Sequence, residues 1–183
     1  MTREEALKLV KRNVKTKNLV KHMIAAEAVM AELAKHLSED KGKWGLAGLL
    51  HDIDYEETKD DPKKHSLIGA EMLDELGVDR EIVQAVRVHN EEHGIPRETL
   101  MDKALYAVDP LTGLIVAAAL IHPDKKISSI DTGFVMNRFG EKHFAKGANR
   151  ENIKACQDFG MDLDEFVEIG VAAMQEVSSE IGL

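Results

Sequence analysis

Cysteine is almost absent from these 183 residues: Cys156 is the only one. No disulfide can form within the chain, and a reducing compartment fits. Basic residues are also short, with 24 Lys and Arg against 33 Asp and Glu, for a formal net charge of −9. Binding to a nucleic-acid backbone is driven by clustered Lys and Arg, so a nucleic-acid polymer is not the expected main partner. A small anionic substrate remains possible, because a bound metal reverses the local field. Long hydrophobic runs are missing too. The longest apolar stretch, Leu114 to Ile121, is far too short to span a bilayer, and no membrane partner is expected. The opening residues Met1-Thr2-Arg3-Glu4-Glu5 hold acids and no apolar core, so they do not read as a signal peptide. A cytoplasmic location is the resulting expectation. Internal repeats, low-complexity tracts and domain-splitting linkers are absent as well. A single domain over residues 1–183 is expected, long enough to bury a full core.

What is present is a helical period throughout, with no convincing strand alternation. Thr2 to Glu5 has capping-box spacing and opens a helix towards residue 15. A longer helix from about Asn18 to Leu37 carries Leu19, Met23, Met30 and Leu33 on one side. Trp44 to Leu50 makes a short helix ending at His51-Asp52, and an acidic loop follows from Asp54 to Asp61. Asp61-Pro62 reads as a cap and first turn for a helix to Leu76, which Gly77 stops. Asp79 caps the next helix, which carries His89 and ends near His93-Gly94. Two helices are expected over 99–108 and 110–121, then a short helix and a loop from Phe144 to Arg150. Asn149 caps a helix to about Phe159, and Asp162 opens the last one. The fold class is all-α, a bundle with moderate crossing angles.

His51-Asp52, at the end of the apolar run Leu46 to Leu50, carries the most chemical information. A His-Asp pair alone is common. Here His22, His65, His89 and Asp109 also fall on the apolar arcs of expected helices, at about 100° per residue. His22 aligns with Leu19, Ala26, Val29 and Leu33; His65 aligns with Ile68, Met72 and Leu76; His89 aligns with Ile82, Ala85 and Val86. One such histidine is ordinarily a core residue bonded to backbone. Several together need each other or a shared ion, because each unpartnered buried polar group costs about 1–3 kcal/mol. Asp109-Pro110 has a competing reading as a helix cap followed by proline. His93, four residues after His89, is a lesser candidate. His36, His122 and His143 read as surface or helix-end residues.

His22, then His51-Asp52, then Asp109 resembles the signature of the HD superfamily of metal-dependent phosphohydrolases. Leu49-Leu50-His51-Asp52-Ile53 is similar to its HDIG-type hallmark, and the stretches 65–73 and 86–89 look like that branch. The resemblance covers roughly residues 18 to 121. It implies an HD-type helical core there, with residues 122–183 as additional C-terminal helices to which no function carries over. It implies that His22, His51, Asp52 and Asp109 hold a first metal, and that Asp52 bridges to a second held by His65 and His89. Two positions depart from the pattern: Asp54 stands where the hallmark has glycine, and Tyr55 where many members have a phosphate-contacting lysine. Asp54 is then either a carboxylate steadying a ligand or a repulsion against anions. Pro110 is also unusual beside the metal aspartate.

The implied activity is hydrolysis of a phosphoester or phosphoanhydride in a nucleotide-like small molecule, with Asp52 and His51 as the catalytic pair. One or two divalent ions are expected, from iron, manganese, zinc, nickel and cobalt. Glu57, Asp54 and His93 are candidates for the general acid or base. Arg87, Lys146, Arg150 and His93 are candidates for contacting the phosphorylated substrate, against a plainer reading as solvated surface. Small HD proteins that cleave diadenosine polyphosphates have similar length and spacing. Cyclic-dinucleotide phosphodiesterases fit less well, since Asn90 follows His89 where they carry a second histidine. Two other classes remain: an HD-fold di-iron oxygenase, and a non-catalytic metal or ligand sensor.

Overall fold

Residues 1–183 are described by a computed structural model. Its regular secondary structure is all helical, without a strand. It runs α1 (Arg3–Asn13), α2 (Lys17–His36), α3 (Lys41–Leu50), α4 (Tyr55–Thr58), α5 (Leu67–Glu75) and α6 (Arg80–Val88). Then come α7 (Leu100–Ile121), α8 (Thr132–Phe139), α9 (Arg150–Lys154), α10 (Leu163–Glu176) and α11 (Ser178–Ile181). Short 3-10 turns sit at Glu91–His93, Ile127–Ser129 and Ala155–Phe159. An all-α fold is what the 3.6-residue period calls for.

Local chemistry sets the helix starts. Thr2 and Glu5 form the reciprocal capping box of α1, and Thr99 and Asp102 form another at α7. Asp40 caps α3 through Lys43 N–H, Asp79 caps α6 through Glu81 N–H, and Asn149 caps α9. Each satisfies backbone donors that the first helical turn leaves free.

Four expectations are corrected. The helices expected over 99–108 and 110–121 are one, α7, which runs through Pro110. Proline there removes a helix hydrogen bond and crowds the preceding turn. The helix persists because α7 is the centre of the molecule: Leu105, Val108, Leu111, Leu114 and Ile115 are fully buried, and α2, α6, α8 and α10 all pack on it. Asp109 is therefore mid-helix rather than a cap. The helix expected from Pro62 begins only at Leu67; residues 62–66 are turns, and Ser66 takes φ +73°. That left-handed residue breaks the helical path, so His65 shares no helical face with Ile68 and Met72. The acidic 54–61 loop contains the four-residue helix α4. The helix expected up to Phe159 changes to 3-10 geometry after Lys154.

One hydrophobic core joins the early helices to the later ones. It includes Met23, Met30 and Leu33 of α2, Trp44 and Leu49 of α3, Leu73 of α5, and Phe166 and Met174 of α10. The residues after 121 thus pack onto the same core as those before it. The closest helix pair is α2 and α3. A Cβ at Gly48 would lie 2.5 Å from the Ala26 carbonyl oxygen, so the two backbones touch where a side chain would separate them. This contact sets His22 of α2 beside His51 at the end of α3.

Candidate metal centre

Five segments deliver the cluster. His22 comes from α2, His51 and Asp52 follow α3, His65 precedes α5, His89 follows α6, and Asp109 lies in α7. His51, Asp52 and His89 are buried, at 0%, 6% and 4% exposure. All six residues meet, His65 included, although no helical face carries it there.

Asp52 stands at the middle with one oxygen towards each pair of histidines. Its Oδ2 is 3.6 Å from His22 Nε2 and 3.5 Å from His51 Nε2. Its Oδ1 is 3.3 Å from His65 Nε2 and 3.5 Å from His89 Nε2. His22 Nε2 lies 3.2 Å from His51 Nε2 and 3.0 Å from Asp109 Oδ1. His65 Nε2 and His89 Nε2 are 3.2 Å apart. Ligands bonded to one ion at about 2.0–2.2 Å, at right or tetrahedral angles, lie about 2.9–3.5 Å from each other. The distances within each half fall at or slightly above that range.

The tautomers make the case sharper. His51 Nδ1 is 2.8 Å from the Gly48 carbonyl, and His89 Nδ1 is 2.6 Å from the Val86 carbonyl. Carbonyls only accept, so both rings carry their proton on Nδ1. His65 Nδ1 donates to Asp54 Oδ1 at 2.9 Å. Thr112 Oγ1 donates to the Asp109 carbonyl at 2.9 Å and therefore accepts from His22 Nδ1 at 3.0 Å. In their neutral forms all four histidines present only lone pairs at Nε2, aimed at each other and at two carboxylates. Six acceptors converging on one another repel unless protons or metal cations lie between them. The donor set fits one or two divalent ions of mixed nitrogen and oxygen preference.

Local structure adds to this field. The carbonyls of Gly48 and Val86 belong to the last turns of α3 and α6, where no further backbone N–H can reach them. Each histidine ring satisfies one such carbonyl and is locked by it. Two helix C-termini, the negative ends of their dipoles, thereby converge on the cluster and favour positive charge. The titrations agree in direction. Burial opposes the charged form of His51, but Asp52 and Asp109 outweigh it and hold the proton up to about 9. Burial likewise works against His65, and hydrogen bonds to Asp52 and Asp54 raise it to about 10. Burial would raise the Asp52 carboxyl, yet His51, His65 and His89 keep it well below the usual range.

The two departures from the HDIG pattern now have places. Asp54 is 1% exposed; its Oδ1 takes the His65 ring proton, and its Oδ2 accepts from Gly69 N–H at 2.8 Å. It steadies the His65 ring. A Cβ at Gly69 would sit 3.2 Å from the Asp54 carboxyl carbon, a tight contact that would press on the carboxylate. Tyr55 is 43% exposed and sets its ring edge-on to His65, with centroids 5.2 Å apart.

The outer candidates fare differently. His93 Nε2 donates to the His65 carbonyl at 2.7 Å, so it props the His65 turn from outside the cluster. Arg150 gives all five of its N–H donors to carbonyls of Arg138, Phe139, Phe144, Ala145 and Ala148. It clamps a loop and has no donor left for a phosphate, which corrects its reading as a substrate contact. Arg87 is half-buried and Lys146 is exposed, and neither bonds to the cluster. Sequence reasoning missed Thr112, which fixes His22. Its only signal was a hydroxyl one turn beyond Asp109.

A family model described as HD domain matches residues 19–122. Ribonuclease Y of Lawsonia intracellularis is 35% identical over 105 residues, covering 57% of this chain and 20% of that protein. Ribonuclease Y of Nitratidesulfovibrio vulgaris is 30% identical over 98 residues, covering 54% of this chain and 18% of that protein. The aligned region is thus about a fifth of these relatives' length. An uncharacterised protein of Methanocaldococcus jannaschii is 31% identical over 159 residues, which is 82% of this chain and 90% of that protein. No solved structure matches the chain.

Proposed function

The chain belongs to the HD domain family, within a superfamily of metal-dependent phosphohydrolases, and on that footing we propose that it hydrolyses a phosphoester or phosphoanhydride of a small, nucleotide-like molecule. The observation that carries this reading is the two-sided arrangement at Asp52, with one oxygen for each pair of histidine lone pairs. His22, His51, Asp109 and Asp52 Oδ2 would hold one ion; His65, His89 and Asp52 Oδ1 would hold the other. Divalent ions held there would supply Lewis acidity, activating water and polarising a phosphoryl group.

The chain's own residues supply the rest. Gly48, Val86, Asp54 and Thr112 hold the four rings in the tautomer that offers Nε2. Asp52 orients both pairs and neutralises part of the charge between them. Of the three acid or base candidates, Asp54 has both oxygens engaged and His93 is bonded to backbone; Glu57 is exposed. The net charge of −9 favours a small substrate over a polymer, because steering towards a polyanion needs a basic surface. A reducing, cytoplasmic setting suits the lone and buried Cys156.

The similarity to ribonuclease Y favours a second reading, a short RNA as substrate. One experiment separates them. Protein purified without chelator is analysed for metals, then assayed against mononucleotides, dinucleoside polyphosphates, simple phosphoesters and a short RNA. The expected result is bound transition metal and turnover of a small phosphoester, both lost in Asp52→Ala. Turnover of RNA alone would replace the small-molecule reading. Full turnover by Asp52→Ala in metal-free buffer would defeat both.

A further inference from the structure

Two cavities open on the metal centre from the side covered by residues after 121. One of about 320 Å³ lies between His22, Asp109 and Pro110 and the loop residues Ala145, Gly147 and Ala148. The other, about 380 Å³, runs from His22 past Val116, Leu120 and Ile181, with Lys21 at its edge. They share His22 and Gly113, so they adjoin at that part of the wall. A Cβ at Gly113 would meet nothing within 4 Å, so no side chain fills the space where the two adjoin.

The first cavity has a donor surface. Arg150 draws the carbonyls of Phe144, Ala145 and Ala148 to its guanidinium, and every peptide bond is trans. In a trans peptide the N–H points opposite to the preceding C=O, so the N–H groups of Ala145 and Lys146 face away from the guanidinium. Those of Ala145, Lys146 and Gly147 have no acceptor in the protein. Arg150 itself does not line the cavity, whereas Ala145, Gly147 and Ala148 do, so the guanidinium holds the loop without entering that cavity. Ala145 takes φ +43°, and a left-handed residue among such turns gathers successive N–H groups into an anion-binding concavity. The other cavity is apolar on Val116, Leu120 and Ile181, with Lys21 also lining it. Its volume is at the lower end of the range for small-molecule sites.

We propose that the 144–148 loop is the phosphate cradle of this enzyme, and that the Val116–Leu120–Ile181 cavity takes the organic group attached to that phosphate. The substrate class is then a compact phosphate ester whose other half presents an apolar or aromatic face, of mononucleotide size. This rests on the hydrolase reading above and adds to it a role for the residues after 121. Arg150 acts as a positioning residue: it touches no substrate and shapes the loop that does.

The test is a titration of zinc-loaded, 15N-labelled protein with inorganic phosphate and with adenosine monophosphate, following the amide signals of Ala145, Lys146 and Gly147. Phosphate should shift all three. Gly147→Pro, which deletes one donor, should weaken phosphate binding by roughly tenfold or more at unchanged metal content. Leu120→Glu, a change at an exposed position, should weaken adenosine monophosphate roughly tenfold while leaving inorganic phosphate nearly untouched. Phosphate binding with the three amides unmoved overturns the cradle and leaves the hydrolase reading intact. Equal losses for both probes in Leu120→Glu overturn the role of the apolar cavity. If phosphate fails to bind loaded protein the cradle is wrong, and a silent phosphoester panel in the same preparation would take the hydrolase reading with it.

Discussion

At the scale of single residues, Asp54 sets His65 apart from the three other histidines of the cluster. His51 and His89 are held by carbonyls and His22 by a hydroxyl, but His65 is held by a buried carboxylate. A carboxylate behind a histidine raises its basicity and fixes its ring, and losing such a partner typically costs about 10–100-fold in metal affinity. Asp54→Ala is therefore expected to weaken the ion on the His65–His89 side by about that factor and spare the other. If two ions bind, calorimetric titration should show one site weakened and one unchanged relative to the native protein; equal weakening of both would contradict the division at Asp52. A second expectation concerns protons. In metal-stripped protein His51 and His65 keep theirs up to about 9 and 10. Both are then charged at neutral pH, and a metal must displace those protons to bind. Metal affinity should accordingly rise with pH from 7 towards 9, with protons released on loading. Binding heats in buffers of different ionisation enthalpy measure that release. Loading at pH 7.5 without proton release would show that the rings are already neutral.

At the scale of elements, the site depends on how closely helices approach and where they stop. α2 and α3 touch backbone to backbone at Gly48, and a methyl group there would strike the Ala26 carbonyl and peptide carbon at 2.5 and 2.6 Å. A backbone cannot yield as a side-chain tip does. Gly48→Ala should destabilise the fold by about 3 kcal/mol, the upper end of the range for overpacking, and should reduce metal content by separating His22 from His51. Gly113→Ala is the matched control, since the added carbon meets nothing and alanine is the better helix former. It should stabilise α7 by about 0.5–1 kcal/mol. Denaturant unfolding of the pair decides; similar losses in both would mean that the α2–α3 contact is not special. Helix ends matter as much as helix faces. α3 and α6 stop at His51 and His89, whose rings take up terminal carbonyls, and the left-handed Ser66 stops the chain from carrying His65 onto a helix.

At the scale of the whole molecule, α7 shows why composition alone misleads. Leu100–Ile121 has the length and hydropathy to cross a membrane, although its longest unbroken apolar run does not. Its apolar surface is met by α2, α6, α8 and α10, and through it a single core connects both ends of the chain. Metal binding should report on that connection. An ion held by α2, α3 and α7 together stabilises the folded state by about 2.7 kcal/mol at a hundredfold excess over its Kd. For a chain of this size that is a rise in Tm of roughly 5–10 °C. Thermal unfolding with and without chelator measures it, and Asp52→Ala should lose the rise; an equal rise in that variant would place the binding elsewhere. The sequence by itself determined the all-α class, most helix starts, and His22, His51, Asp52 and His89 of the cluster, because periodicity, capping chemistry and a His-Asp pair after an apolar run are local signals; it reached His65 through a helical face that the left-handed Ser66 removes. It left Asp54, Asp109 and Arg150 undecided or misread. Only the tertiary structure made Asp54 the partner of His65, ran α7 through Pro110, and turned Arg150 inward onto a loop. Those outcomes depend on which carbonyl or carboxylate another segment brings within hydrogen-bond reach, and no local pattern encodes that distance.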